Sequence, residues 1–498
     1  TIPWKNYPIA PSRSDSDDVK RLYGSNPSNQ FGAWRFERIC LDFKPDIVIM
    51  QKDPWMDSWV KHSPYRPFFS WAWASTVDSS PQSPEWVNQF ADADYFYTLS
   101  EWAEGVIKEQ AGDSVNLIGS VTMSAADEFQ PVPNKAAHRL AMGLDPDWKI
   151  IGTVMRNQRR KLFPDLLQAF AKYLSFTGDK DTYLYCHTSY PDNGWDLPQL
   201  MMKYGISSRV LFTYSCEECG SLTIGKFSDT VKLCRSCKKY AAKPCSVSSG
   251  ATTEELAKIF NLFDLYIQCA NSEGMGISQM EAAACAVPIM STDYSAMESI
   301  VRKLNGYPIP VKTKVLELET GCYRAIPDID EIVSYWKMFF GLSNEDRLEA
   351  GRKARSAYEA NFNWDEVVKK WMISLDQSPK ATWDKPLRQI NLPQDDTIPK
   401  FSNNKAFLDW AIKTYVPYAG LLNSYEANCI LRDLNFQTCK PNPCGFFFSE
   451  NSYFDRVSHQ SFDKEHVLKI FRGKAEIFNF WEKARVGINK LQNEDWLL

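Results

Sequence analysis

Short apolar runs alternate with helix-like stretches along most of the chain, and that rhythm limits the fold more than any other feature. The helical pattern "QFGAWRFERICLDF" leads into the apolar run "DIVIM" (46–50) and the loop "QKDPWMD". "FFSWAWAS" reads as a buried strand, "EWAEGVIKEQAG" as a helix and "VNLIGSV" as another strand. A second round starts near Trp148 with the strand "KIIGTVM", the polar turn "RNQRRK" and the helix "FPDLLQAFAKYL", which carries Pro164 in its first turn. "DTYLYCH", "RVLFTYS" and "DLYIQC" are further strands, and "TTEELAKIFNLF" is a helix opened by Thr252 or Thr253. Repeated β–α units predict parallel sheets with helices on both faces. Helices are expected from about 300 through "NWDEVVKKWMISL".

At 498 residues the chain has room for about three domains. The expected divisions are an α/β region over 1–140 and a second over 141–375, the latter interrupted by a cysteine-rich insertion at 214–246. A Pro-rich linker at 376–400 and a mainly helical, aromatic-rich extension at 401–498 follow. Net charge is −4, so no global basic field draws the protein to nucleic acid or anionic lipid. No run approaches the ~18 apolar residues of a membrane span, and no stretch has signal-peptide layout. The chain opens at Thr1 without Met and shows no convincing first strand in its first 44 residues, which leaves open the removal of residues ahead of it. Thirteen cysteines, four of them in two CxxC pairs, favour a reducing compartment such as the cytoplasm over a disulfide framework.

Two segments bear chemistry at the carboxyl ends of expected strands, where open α/β sheets place ligands. In "NSEGMGISQMEAAACAVPIMSTDYSAMES" (271–299), Gly274 and Gly276 permit close backbone approach, and the helix start near Ile277 offers free N–H groups to a phosphate. Glu273 and Glu281 can accept from sugar or ribose hydroxyls. The competing reading is a plain capping box, Ser278-x-x-Glu281, which needs no ligand. The turn "MRNQRRK" gathers Arg156, Arg159, Arg160 and Lys161, a set suited to a diphosphate or to ordinary solvated surface.

Taken together, the two segments resemble the Glu-x7-Glu signature and the Arg-x4-Lys clamp of family 4 retaining glycosyltransferases. "PDIVIMQKDPW" and "NWDEVVKKWMISL" resemble that family's N-terminal strand and closing helix. The resemblance spans about 30–375 and is strongest over 149–305. It implies a GT-B fold of two Rossmann-like domains facing across a cleft, with 1–140 on the acceptor side and 141–375 on the donor side. It implies a nucleotide-diphosphate sugar as donor and a hydroxyl-bearing acceptor. Arg156 and Lys161 would neutralise the leaving diphosphate, Glu273 would hold the transferred sugar, and Glu281 the ribose. Gly274, Met275, Gly276 and Ile277 would contact sugar and phosphate through their backbone, and no catalytic metal is expected. Ala286 stands where the family has Gly, the glycine-rich first turn is missing, and Gln51 and Asp53 occupy the region of a usual histidine. Asp53 and Asp78 are therefore the acceptor-side candidates.

Cys216-x-x-Cys219 and Cys234-x-x-Cys237, with 14 residues between the pairs, present four thiolates that can close a tetrahedron around a structural zinc. Lys226, Lys232, Arg235, Lys238, Lys239 and Lys243 make this ribbon basic, which admits nucleic acid as a partner. The expected function is transfer of a hexose or pentose to a hydroxyl. The alternatives are transfer to hydroxymethylated bases in DNA, or a non-catalytic scaffold that binds nucleotide sugars or nucleic acid. His187, Cys439 and Cys444 carry no assignment.

Overall fold

The computed structural model describes residues 5–63, 65–228, 231–318 and 320–381, with 383, 400 and 406. The expected linker 376–400 and extension 401–498 lie almost wholly outside them. Two compact units divide the described residues: one takes in those of 1–72, 92–94 and 377–498, the other 73–91 and 95–376.

In the first unit the helix Ala33–Phe43 buries Phe36, Cys40 and Leu41 along one stripe and ends at Lys44 in the left-handed region. The strand β1 (Ile47–Lys52) follows. Phe36 meets Trp59 and Phe69 edge-on at centroid separations of 5.0 and 5.7 Å. Trp383 stacks on Phe68 at 4.8 Å and donates its indole N–H to the Pro45 carbonyl at 3.1 Å. Strand β2 (Ser70–Ser75) is buried at every position, as "FFSWAWAS" predicts, and crosses into the second unit.

The second unit opens with β3 (Tyr95–Thr98) and β4 (Leu117–Ser120), a parallel pair. Then come β5 (Lys149–Val154), β6 (Thr182–His187) and β7 (Val210–Cys216). The cysteine-rich insertion supplies β8 (Leu222–Lys226), β9 (Lys232–Leu233) and β10 (Tyr240–Pro244). The run closes with β11 (Leu265–Gln268), β12 (Ile289–Thr292) and β13 (Tyr307–Ile309). Six of these strands are parallel, in the order β13-β12-β11-β5-β6-β7. Chain order reverses between β5 and β11, so the crevice outside their carboxyl ends is the topological switch point where such sheets bind ligands.

Both faces of this sheet are covered, which is why its strands read as unbroken apolar runs. Ile150, Tyr183, Tyr185 and Leu211 face a layer that includes Phe260, Met280, Ala283 and Tyr358. The alternate residues Ile151, Leu184, Cys186 and Phe212 face Phe163, Phe170 and Trp336. The helix Thr253–Phe260 starts with a complete capping box between Thr252 and Glu255. The helix Ile277–Ala284 ends in a turn closed by the Val287 N–H on the Ala282 carbonyl at 3.0 Å. That turn puts Ala286 at φ 55°, a conformation that usually selects glycine.

The stretch after 307 departs from the expected run of helices. β13 is followed by an antiparallel hairpin, β14 (Val311–Glu317) and β15 (Cys322–Pro327), before helices resume at Ile329. The Val, Thr, Leu and Tyr content of "VKTKVLELETGCYRAIP" is strand-like, and Gly321 at φ 67° sits in its turn.

Candidate active site

The carboxyl end of β5 runs into the turn 155–162, and that of β11 into 269–276. Backbone pairs fix the two side by side: Leu162 N–H donates to Cys269 O at 3.1 Å and Asn271 N–H to Arg160 O at 2.9 Å. Lys161 and Ala270 form a bridge. The register brings the predicted Lys161 and Glu273 into direct contact, with both side chains buried. Arg160 Nη1 donates to Glu273 Oε2 at 2.6 Å, and Gln268 Nε2 to Glu273 Oε1 at 2.8 Å. The Glu273 N–H donates to Ser295 Oγ at 2.8 Å. Burial, reinforced by the Arg160 charge, pushes the Lys161 ammonium below the ordinary lysine range.

Arg156 lies at the other end of the turn and is half exposed. Its Nε and Nη2 donate to Asp192 Oδ2 and Oδ1 at 3.1 and 2.9 Å. That fork, with help from the Ser189 hydroxyl and the Asn193 N–H, holds the Asp192 carboxyl down at about 2. Asp192 belongs to the loop after β6, which is fastened to the turn by three further bonds. Asn157 Nδ2 donates to Trp195 O at 2.8 Å, Trp195 N–H to Asn157 Oδ1 at 2.9 Å, and Trp195 Nε1 to Lys161 O at 3.1 Å.

The helix Ile277–Ala284 has Gly276 as its N-cap, at φ 77°, with no side-chain cap. Ser278 is therefore inside the helix, and the capping-box reading of Ser278 and Glu281 is replaced by an uncapped N-terminus facing the crevice. A Cβ on Gly276 would lie 2.8 Å from Gln279 Nε2, and one on Gly274 2.3 Å from Thr76 Cγ2. The fully buried Gln279 has no hydrogen-bond partner for either amide atom among the described residues.

Glu281 is buried and pairs with no cation among the described residues. Burial raises its carboxyl from the ordinary 4.5 to about 7, the Ser278 hydroxyl acting in the opposite sense. The native state thus holds the proton more tightly than the unfolded chain, so stability falls as pH rises from about 4.5 to about 7. Glu281→Gln removes that loss. Its stability should gain on wild type across this window, by on the order of 3 kcal/mol at most, and the gain is read as a rising difference in melting temperature. Parallel melting curves across that window would refute the assignment.

Of the acceptor-side candidates, Asp78 joins this neighbourhood. Its Oδ2 lies 2.8 Å from Arg324 Nη1 and accepts from Ser272 Oγ at 3.2 Å. Arg324, buried on the hairpin, also donates to Glu317 Oε2 through Nε and Nη2 at 3.0 and 2.7 Å. Asp53 falls in the first unit, at the start of the short helix Pro54–Asp57. His187 is half-buried, with Nδ1 2.9 Å from Thr213 Oγ1, and desolvation depresses it to about 4. Asp192, Gln268, Ser295 and Arg324 were not signalled by any motif. Asp192 alone had a positional clue, since it follows the strand next to β5.

The four predicted cysteines converge, with their sulfurs all within 4.8 Å of one another. Cys216–Cys237 and Cys219–Cys234 are separated by 3.7 and 3.6 Å. A tetrahedron with ~2.3 Å metal–sulfur bonds has edges of about 3.8 Å, so the sulfurs can hold a metal ion with little movement. The ribbon is not a separate lobe: β8 and β10 both pair with β7 of the main sheet. Its lysines are largely engaged locally. Lys239 and Lys243 pair with Glu218 and Glu217 at 2.8 Å each, and Lys232 lies over the Tyr214 ring at 4.1 Å. Among the described residues no helix is long and apolar enough to cross a membrane.

Residues 222–320 match the family model described as glycosyl transferases group 1. A stretch of 126 residues is 28% identical to the GtfA subunit of the UDP-N-acetylglucosamine–peptide N-acetylglucosaminyltransferase of Streptococcus pneumoniae serotype 4. That match covers 25% of this chain and only 23% of the relative's length. Sucrose-phosphate synthase from Thermosynechococcus elongatus superposes with a TM-score of 0.52 at 16% identity, over 72% of this chain and 79% of that one. Anabaena HepE, solved in complex with UDP, gives 0.50 at 12% identity, over 73% and 90%. At such identities the likeness is one of fold. Residues 222–320 thus resemble a group 1 glycosyl transferase domain, and the chain's α/β fold is of the GT-B type.

Proposed function

We propose that the protein is a retaining glycosyltransferase that moves a sugar from a nucleotide-diphosphate sugar to a hydroxyl acceptor. The observation that carries this reading is the meeting of Lys161 and Arg160 with Glu273 at the switch point between β5 and β11. Arg156, Lys161 and the uncapped N–H groups at Ile277 would supply the positive field for the departing diphosphate, and such a field is the main source of rate in a step of this kind. Glu273 and the backbone of Gly274–Ile277 would hold the sugar, and Glu281 the ribose diol. The acceptor oxygen bonds to the anomeric carbon as the bond to the phosphate oxygen breaks. Both events occur on one face of the sugar, and the acceptor's proton passes to the leaving phosphate. Asp78 is the acceptor-side group this reading favours, through its ties to Ser272 and Arg324 beside Glu273. No divalent ion enters the step, because the cationic side chains fill that part.

Cys216, Cys219, Cys234 and Cys237 would hold zinc. With four protein ligands the ion has no open position, so its contribution is structural. Those thiolates require a reducing compartment, and we place the protein in the cytoplasm.

A thermal-shift screen of UDP-, GDP- and ADP-sugars, followed by donor hydrolysis, tests the donor assignment. UDP-sugars head the screen, because the pneumococcal relative is named for UDP-N-acetylglucosamine. At least one donor should stabilise the protein and be slowly hydrolysed. Neither binding nor hydrolysis with any donor would overturn the reading. An acceptor panel of hydroxyl-bearing peptides, sugars and hydroxymethylated DNA then fixes the acceptor class.

A further inference from the structure

The four-cysteine ribbon touches the same loop that holds Arg156. The ribbon leaves the sheet at Cys245, whose carbonyl accepts from the Tyr190 N–H at 3.0 Å, while the Cys245 N–H donates to Thr213 O at 3.1 Å. Phe227, just past β8, meets the Tyr190 ring edge-on at 5.4 Å and Phe212 at 5.3 Å. Tyr190 is followed two positions later by Asp192, which is forked by Arg156. Next to Tyr190, Ser189 donates to Asp192, and its Oγ accepts from the Asn157 N–H at 3.4 Å. Beyond Asp192, Gly194 packs so closely on Asn157 that a Cβ there would lie 2.3 Å from its Oδ1. Metal ribbon, loop 188–195 and the turn 155–162 therefore form one continuous set of contacts. The ribbon grips the loop through two independent interactions, one backbone and one aromatic.

We propose that the metal-bound ribbon is a positioning element for the donor's diphosphate, acting through Tyr190 and Asp192 on Arg156. This rests on the donor-site reading above. The metal orders β8 and the exit at Cys245; these set the loop, and the loop sets the angle at which Arg156 meets a phosphate. Asp192 takes the Nε and Nη2 edge of the guanidinium, so its Nη1 side is the one presented to an anion. A guanidinium released from this fork keeps its charge and loses its preorganisation. The loss is then felt in donor binding, and in turnover as well, since Arg156 also serves the departing diphosphate.

The test uses the full chain and UDP, or whichever nucleoside diphosphate the wild type binds. Phe227→Ala should weaken binding by about five- to tenfold and raise the donor KM in parallel. Metal content should stay at one per chain, and Phe227→Tyr, which keeps the ring, should restore affinity. In an Asp192→Asn background, where the fork is broken, Phe227→Ala should add little further loss, because both changes act on the same link. Stripping the metal from wild type should reproduce the affinity loss while the melting transition of the main sheet persists. Unchanged affinity in Phe227→Ala, or fully additive losses in the double variant, would overturn the proposal. If wild type binds no nucleoside diphosphate at all, the donor-site reading itself falls.

Discussion

Lys161→Ala is expected to lower the transfer rate by about 10²–10³-fold while leaving the protein folded. The ammonium is buried beside Glu273 and next to Arg160, in surroundings that exclude water. There, a fixed positive charge aimed at a developing diphosphate is worth far more than at the surface, about 3–4 kcal/mol for a single donor. Stability should change much less. Removing Lys161 leaves Glu273 its bonds from Arg160 and Gln268, and it also lifts the desolvation burden of a buried ammonium. The measurement is single-turnover transfer or donor hydrolysis beside a melting curve. Retained turnover in a folded variant would remove Lys161 from the mechanism, whereas a collapsed melting curve would reassign it to the core.

Cys234→Ser should abolish metal binding. Elemental analysis is expected to fall from about one zinc per chain to none. Hydrogen exchange should speed up across 216–245, while β5, β6, β11 and β12 stay protected. The ribbon's own buried cluster is small: Cys216, Cys234 and Ala241, with Cys237 packed on it. Three side chains and a partner bury too little apolar area to order some thirty residues, so the ion carries most of that task. Binding of ~1 zinc to the variant, or protection equal to wild type without metal, would show that the ribbon stands on its hydrogen bonds alone.

Much of the second unit could be read from sequence because its signals are local. Apolar runs such as "KIIGTVM" and "DLYIQC" have no polar face to hide, Pro164 and Thr252 mark helix starts, and paired CxxC spacing is specific for a metal site. The hairpin Val311–Pro327 escaped because its order depends on contacts elsewhere in the chain. Arg324 is held by Asp78, Ser272 and Glu317, and the Ala325 N–H donates to Asn271 O at 3.0 Å. The capping-box reading of Ser278 and Glu281 failed for a related reason. Gly276 in the left-handed region starts the helix ahead of Ser278, earlier than the Ser-x-x-Glu pattern suggests, and no local propensity reports that.

The sequence by itself determined the strand and helix alternation, the two charged segments and the four cysteines spaced to hold a metal, because each is a matter of residue type at short spacing. Only the tertiary structure decided which charges meet. The strand order β13-β12-β11-β5-β6-β7 lays the end of β5 beside the end of β11 and so joins Lys161 to Glu273, more than a hundred residues apart. The same order sets β6 on the other side of β5, which gives Arg156 its partner in Asp192. Pairing across such distances is fixed by sheet topology and core packing rather than by any local pattern, and the preorganisation of the site comes from that pairing.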